Sequence, residues 1–143
     1  MRRADQEGQG LVEFALAIIV FLVLVMGVVD FGRGIYTYNG VSQAAREIAR
    51  VASVHPGSPL GTDPLISPVV ATQKNLVPAL SGPTFICVDD TGADVSTLSP
   101  ARPCNYRTDS VKVVVTAPYK AITPLLGLLG TWTMQGSSTA QIQ

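Results

Sequence analysis

The sequence predicts an α+β protein, with one long N-terminal helix able to span a membrane and a small, mostly antiparallel β-sheet domain packed on its outer half. Three observations carry this. Between Leu11 and Val29 lie 19 residues whose only charge is Glu13. From Phe31 onward Ile35, Tyr38, Val41, Ala45, Ile48 and Ala52 recur every three or four positions, while Arg33, Gln43, Arg46, Glu47 and Arg50 fall mostly elsewhere around the helix. Finally, three strand-like segments follow at Thr84 to Asp89, Ser110 to Tyr119 and Thr131 to Gln143, the second with Val111, Val113 and Val115 on one face.

The apolar run comes first. A helix of that length rises about 28 Å, close to the ~30 Å hydrocarbon core of a bilayer. The rival is a cleavable secretory signal, whose apolar region is roughly 7 to 15 residues long and ends at an A-x-A-like site. Residues 11–29 exceed that length and leave into VVDFGRGIY, which has no such site. Arg2 and Arg3 precede the run and favour an N-terminus on the cytoplasmic side.

The helical pattern continues to about Val54, giving a rod of 44 residues from Leu11, or roughly 66 Å. Gly32, Gly34 and Gly40 weaken it locally, by on the order of 1 kcal/mol each relative to Ala, and mark a bend or a close packing site. Pro56-Gly57 ends it. HPGSPLGTDPLISP, residues 55–68, reads as a surface linker, with Ser67 as an N-cap and Pro68 at the first position of a short helix running to about Val77. Ser81-Gly82-Pro83 closes that unit. Between the second and third strands, ITPLLGLLG is an apolar loop or helical turn that either covers the sheet or contacts a neighbour.

Composition narrows the function. The chain has 143 residues, zero formal net charge and 14% charged residues, so it lacks the basic footprint of a nucleic-acid binder. Its two cysteines, Cys87 and Cys104, lie beyond the span and suit one bridge, which would persist outside the cytoplasm; two buried thiols are the alternative. Closing that loop would contribute about 3 kcal/mol in the chain-entropy model. No catalytic, cofactor or metal set stands out. His55 is the single histidine, sits beside a helix-ending proline and reads as an exposed linker residue. The loop Asp89-Asp90-Thr91-Gly92-Ala93-Asp94 misses calcium-loop spacing and reads as a solvated turn.

Glu13 resists so plain a reading. A carboxylate at mid-membrane costs about 2.5–3.5 kcal/mol on insertion scales, and an intramembrane ionisable group is a candidate for function with a partner to name. The alternative is a first-turn residue at the headgroup boundary, favoured by the helix dipole.

Gly8-Gln9-Gly10-Leu11-Val12-Glu13-Phe14 matches the processing site of type IV pilin-like precursors of the tight-adherence class: a glycine, four residues, then Glu followed by an aromatic. From GQGLVEFALAIIVF through VVDFGRGIYTYNGVSQAAREIARVAS, about Gly8 to Ser53, the sequence closely resembles the N-terminal region of TadE-like pseudopilins. This resemblance implies a pilin-like protein with a leader at residues 1–8, a long helix at 9–54 and an extracytoplasmic domain at 55–143. It implies that a membrane prepilin peptidase cuts between Gly8 and Gln9, and that Glu13 and Phe14 serve subunit assembly. The Gln9 amine of a neighbouring subunit would then pair with Glu13, joining two buried charges and fixing axial register. Gly40 and Ala44, four apart, would aid helix packing. The implied partners are other pilin subunits, the peptidase, an inner-membrane assembly platform and the lipid bilayer. The implied location is the cytoplasmic membrane, N-terminus inside, and the cell exterior once in a pilus. A reading of another class is a permanently anchored single-pass protein whose outer domain binds an envelope partner without polymerising.

Overall fold

In a computed structural model the described residues form five elements: α1 (Arg3–Ser53), α2 (Ile66–Leu76), β1 (Ser81–Val88), β2 (Ser110–Lys120) and β3 (Thr131–Gln141). The structure describes residues 3–55, 63–95, 104, 108–123, 127–128 and 130–143, with side chains from residue 8 onward. The class is α+β and pilin-like, a long apolar N-terminal helix with a three-stranded antiparallel sheet in the order β1-β2-β3. These residues form two compact units, Met1–Gly34 with Lys120–Thr131, and Ile35–Tyr119 with Trp132–Gln143.

α1 is unbroken over 51 residues. Its glycines do not interrupt it, because the i→i−4 ladder uses only backbone groups and glycine merely lowers the propensity. The helix stops at Ser53 through its own side chains. Ser53 Oγ donates to the Arg50 carbonyl at 2.9 Å, and the His55 Nδ1–H donates to the Val51 carbonyl at 2.9 Å. His55 is therefore half-buried and caps the end of the helix, rather than standing free in a linker. Most of the expected linker, residues 56–62 with Pro56-Gly57, lies outside the described residues.

In the first unit the run from Leu11 to Val29 is exposed along its length, apart from a half-buried Gly27. Among the described residues nothing buries the most apolar window of this helix. The core helix of a soluble protein is mostly buried, whereas so large an uncovered apolar surface calls for lipid or protein around it. The same helix continues without a break to Ser53, unlike a signal segment that ends at a cleavage site. One long apolar helix of this kind fits a single-pass membrane protein.

In the second unit, Val41, Ala44, Ala45, Ile48, Ala49 and Ala52 are fully buried and form one face of α1. They pack against Val111, Val113, Val115 and Ala117 of β2, with Ile66, Val77, Leu80 and Ile142 completing the core. The buried stripe is shorter than the sequence periodicity suggests. Ile35 and Tyr38 are about half exposed, and Phe31, in the first unit, is 71% exposed. Periodicity reports which residues share a face; it cannot report where the covering sheet stops.

β2 is central and alternates between buried and half-buried positions over most of its length, as its valines predict. β1 pairs with it antiparallel, Thr84 opposite Val114 and Val88 opposite Ser110. β1 also takes in Ser81-Gly82-Pro83, which the sequence reading assigned to the end of the preceding unit. The register shift between Ser81 and Thr84 explains this, because a bulge on an edge strand accommodates a proline that cannot donate to the ladder. Gly82 has φ +94°, and a Cβ there would lie 3.2 Å from the Val114 carbonyl oxygen. α2 starts at Ile66, one residue before the expected Ser67 cap. Asp63 organises that start, its Oδ1 accepting the Leu65 N–H at 2.7 Å and its carbonyl the Ser67 N–H at 3.0 Å.

β3 crosses α1 at Gly136. A Cβ at this position would stand 2.7 Å from the carbonyl oxygen of Val41 and 2.8 Å from its carbon. Both are helix backbone atoms, unable to rotate aside. Gly136→Ala is expected to destabilise the outer domain by about 1–3 kcal/mol, read as a lower thermal midpoint by circular dichroism in detergent; an unchanged midpoint would refute this close approach. The C-terminus is tied down as well, by Gln143 N–H to the Ser53 carbonyl at 3.2 Å and Ile142 N–H to the Asp109 carbonyl at 3.0 Å.

Candidate functional site

Gly8, Gln9, Glu13 and Phe14 lie on the exposed N-terminal turns of α1. Gln9 and Glu13 are one helical turn apart on the same face, and Gly8 precedes Glu13 by about 7.5 Å along the axis. Around the Glu13 carboxylate, Leu11, Val12, Phe14 and Leu16 are each more than 60% exposed. An acid held on so apolar a surface can accept a cation or hydrogen-bond donors from another molecule.

Gly40 and Ala44 make contacts within the chain. A Cβ on Gly40 would meet Val77 Cγ2 at 3.1 Å, and Ala44 is fully buried in the core. Ala44 thus packs within the chain, and half-buried Gly40 lies against Val77.

Cys87 and Cys104 are joined in a disulfide with a Cα–Cα distance of 5.7 Å. Asp109 lies close to both sulfurs. Because the sulfurs are bonded to each other, they offer no thiolate to a metal. The acidic loop is also committed internally: Asp89 Oδ1 accepts the N–H of Thr91 and of Ala93, each at 2.9 Å, and the Thr91 hydroxyl at 2.6 Å. In the second unit a cavity of about 310 Å³ is lined by Ile66, Val70, Phe85 and Lys74, among others. Among its described lining residues Lys74 is the one ionisable group.

The structure adds a residue that the sequence reading passed over. Asp30 follows the last residue of the apolar run and is 4% exposed. Its Oδ1 accepts the Ile122 N–H at 2.9 Å and its Oδ2 the Thr123 N–H at 2.7 Å. The Thr123 hydroxyl donates to Oδ2 as well, and Arg33 Nη1 lies 3.4 Å from Oδ1. Two successive backbone N–H groups and a hydroxyl thus converge on one carboxylate, an anion-binding nest made by the chain for its own side chain. The Thr123 hydroxyl first, then the Ile122 and Thr123 N–H groups, hold the Asp30 carboxyl down at about 2, with the Arg33 charge assisting. A usable signal was present in the sequence, an acid at the outer edge of the run. Its partners lie 92 and 93 residues further on, which no local pattern reveals.

Among known proteins, the family model described as TadE-like protein matches residues 8–50. Neither a curated protein nor a solved structure matches the chain. The matched residues begin at Gly8, include Glu13 and Phe14, cover the whole exposed apolar run and end within the buried face of α1. Over residues 8–50, its N-terminal third, the chain is similar to TadE-like proteins, and that similarity takes in the whole apolar run of α1.

Proposed function

We propose that the protein is a pseudopilin or minor pilin, a structural and assembly component of a tight-adherence-type pilus that serves surface attachment. The observation that carries this is the coincidence of the Gly8 to Phe14 motif with the head of an exposed apolar helix that runs, unbroken, into a small α+β domain. A permanent anchor requires the same exposed helix, but gives no role to Glu13 in its apolar surroundings or to the glycine five residues before it.

The helix holds the subunit in the cytoplasmic membrane with its N-terminus inside, as Arg2 and Arg3 favour. The disulfide is consistent with an outer domain that folds outside the cytoplasm. A prepilin peptidase removes residues 1–8, and the exposed N-terminal face of α1 then packs against other subunits at the assembly platform. The protein has a structural role rather than an enzymatic one.

Two measurements test this. Intact-mass and N-terminal analysis of the native protein is expected to give a chain beginning at Gln9, and sheared pili are expected to contain it. An intact leader together with absence from sheared pili would replace this reading with that of a permanently anchored protein.

A further inference from the structure

The loop between β2 and β3 is apolar and uncharged. Residues 121–130 read AITPLLGLLG, and their one polar side chain, Thr123, is committed to Asp30. Ile122 is 65% exposed and Leu128 84%. Exposed leucine and isoleucine on a neutral loop call for a covering partner.

The position of the loop identifies that partner. Its Ile122 and Thr123 N–H groups are hydrogen-bonded to Asp30 in the same compact unit. Asp30 stands one residue, about 1.5 Å of axial rise, past the end of the apolar run. Whichever leaflet receives that end of the helix is therefore within reach of the loop. On the helix, Val28 and Phe31 beside the clamp are 73% and 71% exposed, so the apolar surface continues from span to loop. Among the described residues of the loop, several polar groups find partners within the chain. Gly127 N–H is satisfied by the Thr123 carbonyl at 2.7 Å, Gly130 N–H by the Gly127 carbonyl at 3.3 Å, and the Asp30 charge is enclosed by donors. Satisfying backbone groups internally is what contact with hydrocarbon demands. Exposed Lys120 and Arg33 flank the clamp and suit lipid phosphates.

We propose that the β2–β3 connection makes a second membrane contact through Ile122 and Leu128, which enter the interfacial layer of the leaflet reached by the outer end of residues 11–29. The partner is a phospholipid bilayer. The proposal rests on the membrane-span reading of α1. In the membrane-resident subunit the clamp couples the first turn outside the lipid to the β2–β3 connection within the same compact unit.

The test uses the full-length protein in phosphatidylcholine–phosphatidylglycerol vesicles with and without brominated acyl chains. The sole tryptophan is removed as Trp132→Phe, and single reporters are introduced as Leu128→Trp, Ile122→Trp, Phe21→Trp in the span and Thr72→Trp on α2. Formation of the Cys87–Cys104 bridge, by thiol titration, verifies folding of each variant. Leu128→Trp and Ile122→Trp are expected to show blue-shifted emission and to lose most of their intensity with bromine near the headgroups. Phe21→Trp should respond to deeper bromine, and Thr72→Trp to neither. Quenching at Phe21→Trp with water-like, unquenched emission at both loop sites overturns the proposal and leaves the span standing. Absence of quenching at all sites overturns both. Shielding of the loop sites only at high protein-to-lipid ratio, without bromine quenching, would assign the loop to a neighbouring chain and also overturns the proposal.

Discussion

Glu13→Gln is expected to leave the protein in the membrane and remove it from the filament. Insertion depends on the apolar length of residues 11–29, and neutralising a charge within that run makes insertion easier, by up to about 2.5–3.5 kcal/mol if the group sits at mid-membrane. Assembly responds in the opposite sense. Removing one member of a buried pair strands the other, and breaking such pairs costs roughly 3–5 kcal/mol. A loss of about 3 kcal/mol per subunit contact corresponds to more than a hundredfold in an equilibrium constant. The measurements are the amount of protein in carbonate-washed membranes, expected unchanged, and in sheared pili, expected to fall below detection. Glu13→Asp keeps the charge but shortens its reach, and should retain part of the incorporation. Normal pilus content in the Glu13→Gln strain would remove the carboxylate from any account of assembly.

Much of the architecture was legible in the sequence because its signals are local. An uninterrupted apolar run and a 3.6-residue stripe report α1, alternating valines report β2, and the two cysteines form the bridge that their number and spacing suited. Differences arise where a distant segment decides the outcome. Phe31, Ile35 and Tyr38 continue the stripe, yet the buried face begins at Val41. Ala44 lies in the core and Gly40 beside Val77, contacts that the four-residue spacing of the pair does not announce. Ser81-Gly82-Pro83 looks like punctuation and is instead a bulged strand edge, since β2 supplies the partner groups. The apolar loop was visible as composition, whereas its clamp was not. A carboxylate and a pair of backbone N–H groups more than 90 positions apart leave no trace in a window of any useful length.

Asp30 gives that clamp a distinct pH signature. The carboxyl lies at about 2 in the folded protein, against 3.8 ordinarily. A group whose folded value is depressed favours the closed loop in its ionised form. Its contribution is therefore fully present above about pH 4 and is lost as the pH falls through 2. Hydrogen exchange at the Ile122 and Thr123 amides, corrected for the intrinsic rate at each pH, should show constant protection from neutral pH to about pH 4 and a steep fall below it. Asp30→Ala leaves both amides without their acceptor, so their protection at neutral pH should fall by roughly tenfold or more, the scale set by a lost charge-assisted hydrogen bond. Asp30→Asn retains an acceptor without the charge; its protection should be intermediate and flat across the acid range. α1 and the sheet keep their own hydrogen bonds in both variants, so exchange at Val113 and Val115 should be unaffected at neutral pH. Two outcomes would show that Asp30 does not hold the loop: full protection of the Ile122 and Thr123 amides in Asp30→Ala, or an acid transition that persists in Asp30→Asn. If the transition disappears with the charge while the sheet is undisturbed, the carboxylate at the edge of the apolar run is what fastens the β2–β3 connection to the helix.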